Sequence, residues 1–139
     1  DLAAVAEAAL AQFELRSARP VVRNLTPCMV AGDHGALTRA AQNLIGNADK
    51  YSPEGLSITV SVLNGSLFVS DDGPGIAVGE RDRIFDRFYR SDRDRSAPGS
   101  GLGLAIVAKA AAEHAGSVWV REAEGGGAEV GFTVPELKA

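Results

Sequence analysis

Apolar residues return every three or four positions at Leu2, Val5, Ala6, Ala9, Leu10 and Phe13, the spacing of one buried helix face, with Asp1 in the N-cap place. Pro20 follows the end of that element, and Val21–Val30 has room for a short edge strand. Asp33 caps a second predicted helix with an apolar face of Leu37, Ala40, Ala41, Leu44, Ile45 and Ala48, ended by Ser52-Pro53. The period then falls to two, with Ile58, Val60 and Val62 on one face of Ser57–Leu63. Asn64-Gly65 is a tight-hairpin dipeptide, and Leu67–Ser70 returns as the second strand. Gly73 through Ser100 is polar and weakly periodic, with one short helical stretch around Arg81–Phe88; a loop of that length is usually functional or mobile. Leu102–His114 is apolar nearly all round and predicts a buried helix. Val118–Val120 and Val130–Val134 read as two closing strands joined through Glu124-Gly125-Gly126-Gly127.

Strands that pair mainly as hairpins, with helices free to cover one face, give an α+β chain built as a two-layer α/β sandwich. At 139 residues this is a single domain, 1–139, with no internal repeat. Apolar content of 45% beside 23% charged residues is ordinary for a globular domain, and a net charge of −4 argues against a nucleic-acid binder. Arginine is nevertheless crowded into one segment, at Arg81, Arg83, Arg87, Arg90, Arg93 and Arg95. Cys28 is the only cysteine, so no internal disulfide can form, which suits a reducing compartment. No apolar run approaches the roughly 18 residues that span a bilayer. A chain that opens at Asp1 inside a helical pattern reads as a piece of something longer.

Four segments carry candidate chemistry. On the second helix, Asn43, Asn47 and Lys50 fall at i, i+4 and i+7 and make one polar stripe beside the apolar face. An Asn carbonyl suits Mg²⁺, which takes few protein oxygens when phosphates supply others; Lys50 can neutralise phosphate, and Tyr51 can lean on a base. The competing reading is a solvated helix face ending in a turn. Asp71 ends a strand and opens DDGPGI, Asp71–Ile76. A carboxylate there accepts hydrogen bonds only, which suits the exocyclic amine of adenine, while Gly73 and Gly75 let the backbone turn close to a ring. The alternative is an ordinary Asp-Gly turn. Ile84, Phe85 and Phe88 form an apolar cluster that can anchor the Arg-rich segment while Arg87 and Arg90 reach phosphates; a solvated, salt-bridged helix is the other reading, since Asp82, Asp86, Asp92 and Asp94 offset most of the charge. Finally Gly101, Leu102, Gly103 and Leu104, within GSGLGL at Gly99–Leu104, open a helix whose free N–H groups can cradle phosphate. A Rossmann reading fails because no strand precedes those glycines, and no Gly-Lys-Ser/Thr occurs for a Walker loop. His34 and His114 read as capping or surface residues, and neither they nor Cys28 have metal-ligand partners at useful spacing.

Taken in order, NLIGNADKY, DDGPGI, IFDRFYR and GSGLGLAIV resemble the asparagine, first glycine, phenylalanine and second glycine boxes of the ATP-binding catalytic domain of bacterial sensor histidine kinases, in the superfamily of gyrase, Hsp90 and MutL ATPases. The resemblance runs from about Asp33 to Pro135. It implies the Bergerat-type fold, a mixed, mostly antiparallel sheet of about five strands covered on one face by three helices. It also implies an ATP site of Asn43, Asn47, Lys50, Tyr51, Asp71, Gly73, Gly75, Ile76, Arg87, Arg90, Gly101, Leu102, Gly103 and Leu104, with Asn47 binding Mg²⁺, Asp71 reading adenine and 77–98 as an ATP lid. The implied activity is transfer of the γ-phosphoryl group of Mg-ATP to a histidine on a separate dimerisation domain. That phosphoacceptor matches neither His34 nor His114, and residues 1–17 would connect to the helical hairpin that bears it. A response regulator would act downstream, the parent would be anchored in the bacterial inner membrane, and this cytoplasmic domain would by itself be monomeric. A degenerate nucleotide-binding regulatory module and a Ser/Thr kinase of the same superfamily are the alternatives. Ala128 departs from the pattern, standing where Thr or Ser often follows the last glycines.

Overall fold

In a computed structural model of the chain, residues 1–53, 55–72, 85, 103–123 and 126–137 are described, with only the backbone of Tyr51. Among the described residues three helices form one layer: α1 (Leu2–Glu14), α2 (His34–Tyr51) and α3 (Gly103–Glu113). Five strands form the other: β1 (Val21–Leu25), β2 (Ile58–Leu63), β3 (Ser66–Ser70), β4 (Ser117–Glu122) and β5 (Ala128–Thr133). The sheet runs β1-β2-β3-β5-β4, antiparallel except for the parallel β1–β2 pair at one edge. The expected two-layer sandwich with a mixed five-stranded sheet and three helices is the architecture found.

Both predicted N-caps form. The Asp1 and Asp33 carboxylates accept from the backbone N–H of Ala3 and Gly35, each at 2.9 Å, satisfying donors that a helix start leaves free. Asn64 and Gly65 both adopt positive φ, 49° and 84°, the twist that a two-residue hairpin requires. Helix α1 buries Leu2, Val5, Ala6, Ala9, Leu10 and Phe13 against the core, so it is an integral third of the helical layer. Its outer face is tied to the sheet edge by Arg23, which bridges Glu7 at 3.1 Å and Glu14 at 2.5 Å.

Helix α2 lies at the centre, packed between α1 and α3 and over β2 and β3. Helix α3 differs from its sequence reading. It buries Val107, Ala110 and Ala111, whereas Ile106 is 39% exposed, because a helix in a single layer touches the sheet and α2 on one side only. Residues facing away from the helices make their own lattice. Trp119 meets Phe68 at 5.3 Å between ring centroids, Arg121 lies over both rings, and Glu129 links Arg121 to Ser70.

Among the described residues Phe132 is the largest fully buried side chain, and it sits in register between Leu67 and Val118. Phe132→Ala is expected to cost about 3–5 kcal/mol through lost burial and the cavity left behind. The check is a urea midpoint that falls with little change in the slope of the transition.

Candidate functional site

The polar stripe of α2 occupies the flank that faces α3. Asn43 is half-buried, and its Nδ2 donates to the carbonyl of Arg39 at 2.9 Å. Its Oδ1 is thereby turned to the start of α3, where a Cβ built on Gly103 would stand only 3.1 Å away. The glycine leaves room for the amide against the helix N-terminus, where free N–H groups gather. Leu104, half-buried, packs on the core and holds that helix start in place. One turn along the stripe Asn47 is half-buried, and Lys50 is exposed in the last turn.

Asp71 approaches from the sheet. Leu67 and Val69 form the helix-facing row of β3, and Asp71 continues it, only 3% exposed. Its backbone N–H extends the ladder to the carbonyl of Ala128 at 2.9 Å, and its Oδ1 accepts from the Ala128 N–H at 3.3 Å. A carboxylate is costly to bury unless hydrogen bonds receive it, so this is not a solvated turn residue. The approach is close because of Gly127, whose φ is +81° and whose Cβ, if it had one, would lie 2.0 Å from the Asp71 carbonyl oxygen. Ala128 thus contributes through its backbone where a side-chain hydroxyl was in question, its methyl group being buried.

Asn43, Gly103 and Leu104 are therefore brought together, and Asp71 is set on the same side of the sheet as α2. Gly73, Gly75, Ile76, Arg87, Arg90, Gly101 and Leu102, with the lid at 77–98 apart from Phe85, lie outside the described residues, as does the Tyr51 ring. Phe85 packs, half-buried, on the core, in line with an apolar anchor for the Arg-rich segment.

The donor set fits a magnesium nucleotide. Among the described residues no three His, Cys, Asp or Glu side chains converge on a metal position. Asn47 carries an amide oxygen of the kind a hard cation accepts, one turn along α2 from the Asn43 amide that rests against Gly103. The histidines are structural. His114 Nε2 accepts from the Asp33 N–H at 3.0 Å while Nδ1 bonds the Ala110 carbonyl at 2.7 Å, stitching the end of α3 to the start of α2. His34 is exposed, and the thiol of Cys28 accepts from the Gly65 N–H. Sequence reasoning missed Gly127 and the His114 stitch, because each is defined by a partner tens of residues away.

Residues 32–138 match the family described as histidine kinase-, DNA gyrase B- and HSP90-like ATPases. The chain belongs to this family. Within it the resemblance is to sensor histidine kinases. The signal transduction histidine-protein kinase/phosphatase MprB of Mycobacterium avium (strain 104) is 47% identical over 109 residues, covering 75% of this chain and 21% of that protein. The solved mycobacterial sensor histidine kinase MprB superposes with a TM-score of 0.86 at 36% identity, covering 97% of this chain and 95% of that one. The ATP-binding domain of PrrB from Mycobacterium tuberculosis gives 0.74 at 25% identity, covering 99% and 96%. The chain spans about a fifth of the length of the curated MprB relative and is a catalytic domain of the histidine kinase type. Among the described residues no helix is long and apolar enough to cross a membrane.

Proposed function

We propose that this domain binds Mg-ATP between α2, the start of α3 and the end of β3, and delivers the γ-phosphoryl group to a histidine on a separate dimerisation domain. The observation that carries the reading is the buried Asp71 carboxylate held at the end of β3, on the same side of the sheet as the Asn43 amide against Gly103. Asp71 accepts the exocyclic amine of adenine, the N–H groups leading into α3 receive phosphate oxygens, and Lys50 neutralises phosphate charge. Asn47 would hold magnesium together with the phosphates, and the ion would supply charge neutralisation on the transferring group. Phosphoryl transfer needs mainly such positioning: the bond from the γ-phosphorus to the leaving ADP oxygen breaks as a bond to the histidine nitrogen forms. A response regulator downstream and a membrane-anchored parent belong to the same reading, and support for both comes from the MprB relatives being sensor kinases.

The Asn43 amide, which lies at the proposed site, cannot take a proton and is engaged with Arg39, so it supplies no general base for water. The isolated domain is therefore expected to bind Mg-ATP yet release no phosphate above the uncatalysed background. Rapid phosphate release by the purified domain would contradict this. The direct test mixes the domain with a purified histidine hairpin and labelled ATP. An acid-labile phosphoryl bond on the hairpin supports histidine phosphorylation, whereas an acid-stable one points to a Ser/Thr kinase.

A further inference from the structure

The last turn of α2 carries Asn47 and Lys50, yet what holds that turn comes from the connection between α1 and β1. Arg19 sends all five N–H groups of its guanidinium into it. Nε donates to Asp49 Oδ1 at 2.5 Å, Nη1 to the carbonyls of Pro53 and Leu56 at 2.9 and 2.7 Å, and Nη2 to those of Asp49 and Ser52 at 3.2 Å each. The side chain is 11% exposed, so the cation is enclosed by its acceptors. A helix leaves its last carbonyls without internal partners, and a cation there also meets the negative end of the helix dipole. Ser52, the C-cap residue, offers no substitute, since its hydroxyl is buried without a partner among the described residues. The planar fork is what makes the arrangement possible; a lysine has three donors and no fork.

Asp49 follows Asn47 by two residues, so the two side chains leave α2 on different flanks. Arg19 thus grips the helix on one flank while the polar stripe occupies the other. From this geometry we infer that Arg19 is a positioning residue for the magnesium and phosphate end of the nucleotide site. It sets the rotation and height of the last turn of α2, and through them the places of Asn47 and Lys50. The inference rests on the nucleotide reading above, and it assigns Arg19 no contact with nucleotide.

The test compares ATP dissociation constants with and without Mg²⁺ for the intact domain, Arg19→Lys, Arg19→Met and Arg23→Met, well below each unfolding midpoint. Arg23 is the control because it is also ion-paired but bridges α1 to the sheet edge. Arg19→Met is expected to lose most of the affinity gained from Mg²⁺, about tenfold, the scale of a misplaced binding group. Arg19→Lys should fall between Arg19→Met and the intact domain, and it carries the test if Arg19→Met does not fold. Arg23→Met should lower the unfolding midpoint but keep the gain from Mg²⁺. Full retention of that gain in the Arg19 variants overturns the inference, as does an equal loss in Arg23→Met. Failure of the unaltered domain to bind ATP at all would instead refute the nucleotide reading.

Discussion

Asp71→Ala is expected to abolish measurable binding of Mg-ATP, a loss of at least about a hundredfold, in the range of a charge-assisted hydrogen bond. The physical reason is an asymmetry. Asp71 is 3% exposed and its carboxylate accepts hydrogen bonds, so in the proposed site its removal would leave a desolvated adenine amine with no partner. Asp71→Asn separates shape from chemistry. It keeps the volume and can still accept from the Ala128 N–H, but it substitutes a donor for one of the two acceptor oxygens. Its affinity for ATP should therefore fall as well, while its denaturation midpoint stays near that of the unaltered domain. Titration calorimetry is the readout, and unchanged affinity in Asp71→Ala would reduce Asp71 to a strand-end turn residue.

Gly127→Ala is expected to weaken both the fold and the site. The residue holds φ at +81°, and the added Cβ would stand 2.0 Å from the Asp71 carbonyl oxygen and 2.8 Å from its carbon. Both atoms are backbone just past the end of the β3–β5 ladder, so relief requires the chains to part where Asp71 is held. A destabilisation of about 2–4 kcal/mol follows from left-handed strain together with that displacement. A fall in ATP affinity of about tenfold or more should accompany it, as the proposed recognition group moves. The neighbouring glycine isolates the second effect. Gly126 also has a positive φ, +101°, but among the described residues nothing lies within 4 Å of where its Cβ would stand. Gly126→Ala should therefore cost about 1 kcal/mol and leave affinity unchanged. Equal ATP affinity in the two folded variants would break the proposed link between the β5 approach and the Asp71 carboxylate.

Local chemistry made much of the fold legible. Asp1 and Asp33 cap the helices that the apolar spacing predicts, Ser52-Pro53 ends α2, and Asn64-Gly65 turns the hairpin. The polar stripe of α2 was legible for the same reason, since Asn43, Asn47 and Lys50 share a flank by helical geometry alone. Other features were not local. The parallel pairing of β1 with β2 joins Val21 to Ile58 across the whole of α2. The five-fold grip of Arg19 joins a residue in a short connection without any motif to acceptors at least 30 positions away. The exposed side of α3 was not legible, because an all-round apolar pattern does not say how many sides a neighbour covers.

Periodicity, caps and turn residues act over a few bonds, so the elements, their ends and the shared flank of the amides follow from the chain's own order of residues. Which strand lies beside which, and that Gly127 presses on Asp71 while Gly103 admits Asn43, became definite only once the layers closed. Those contacts depend on the space left between distant backbones, and a missing Cβ has no consequence until another segment arrives to occupy its place.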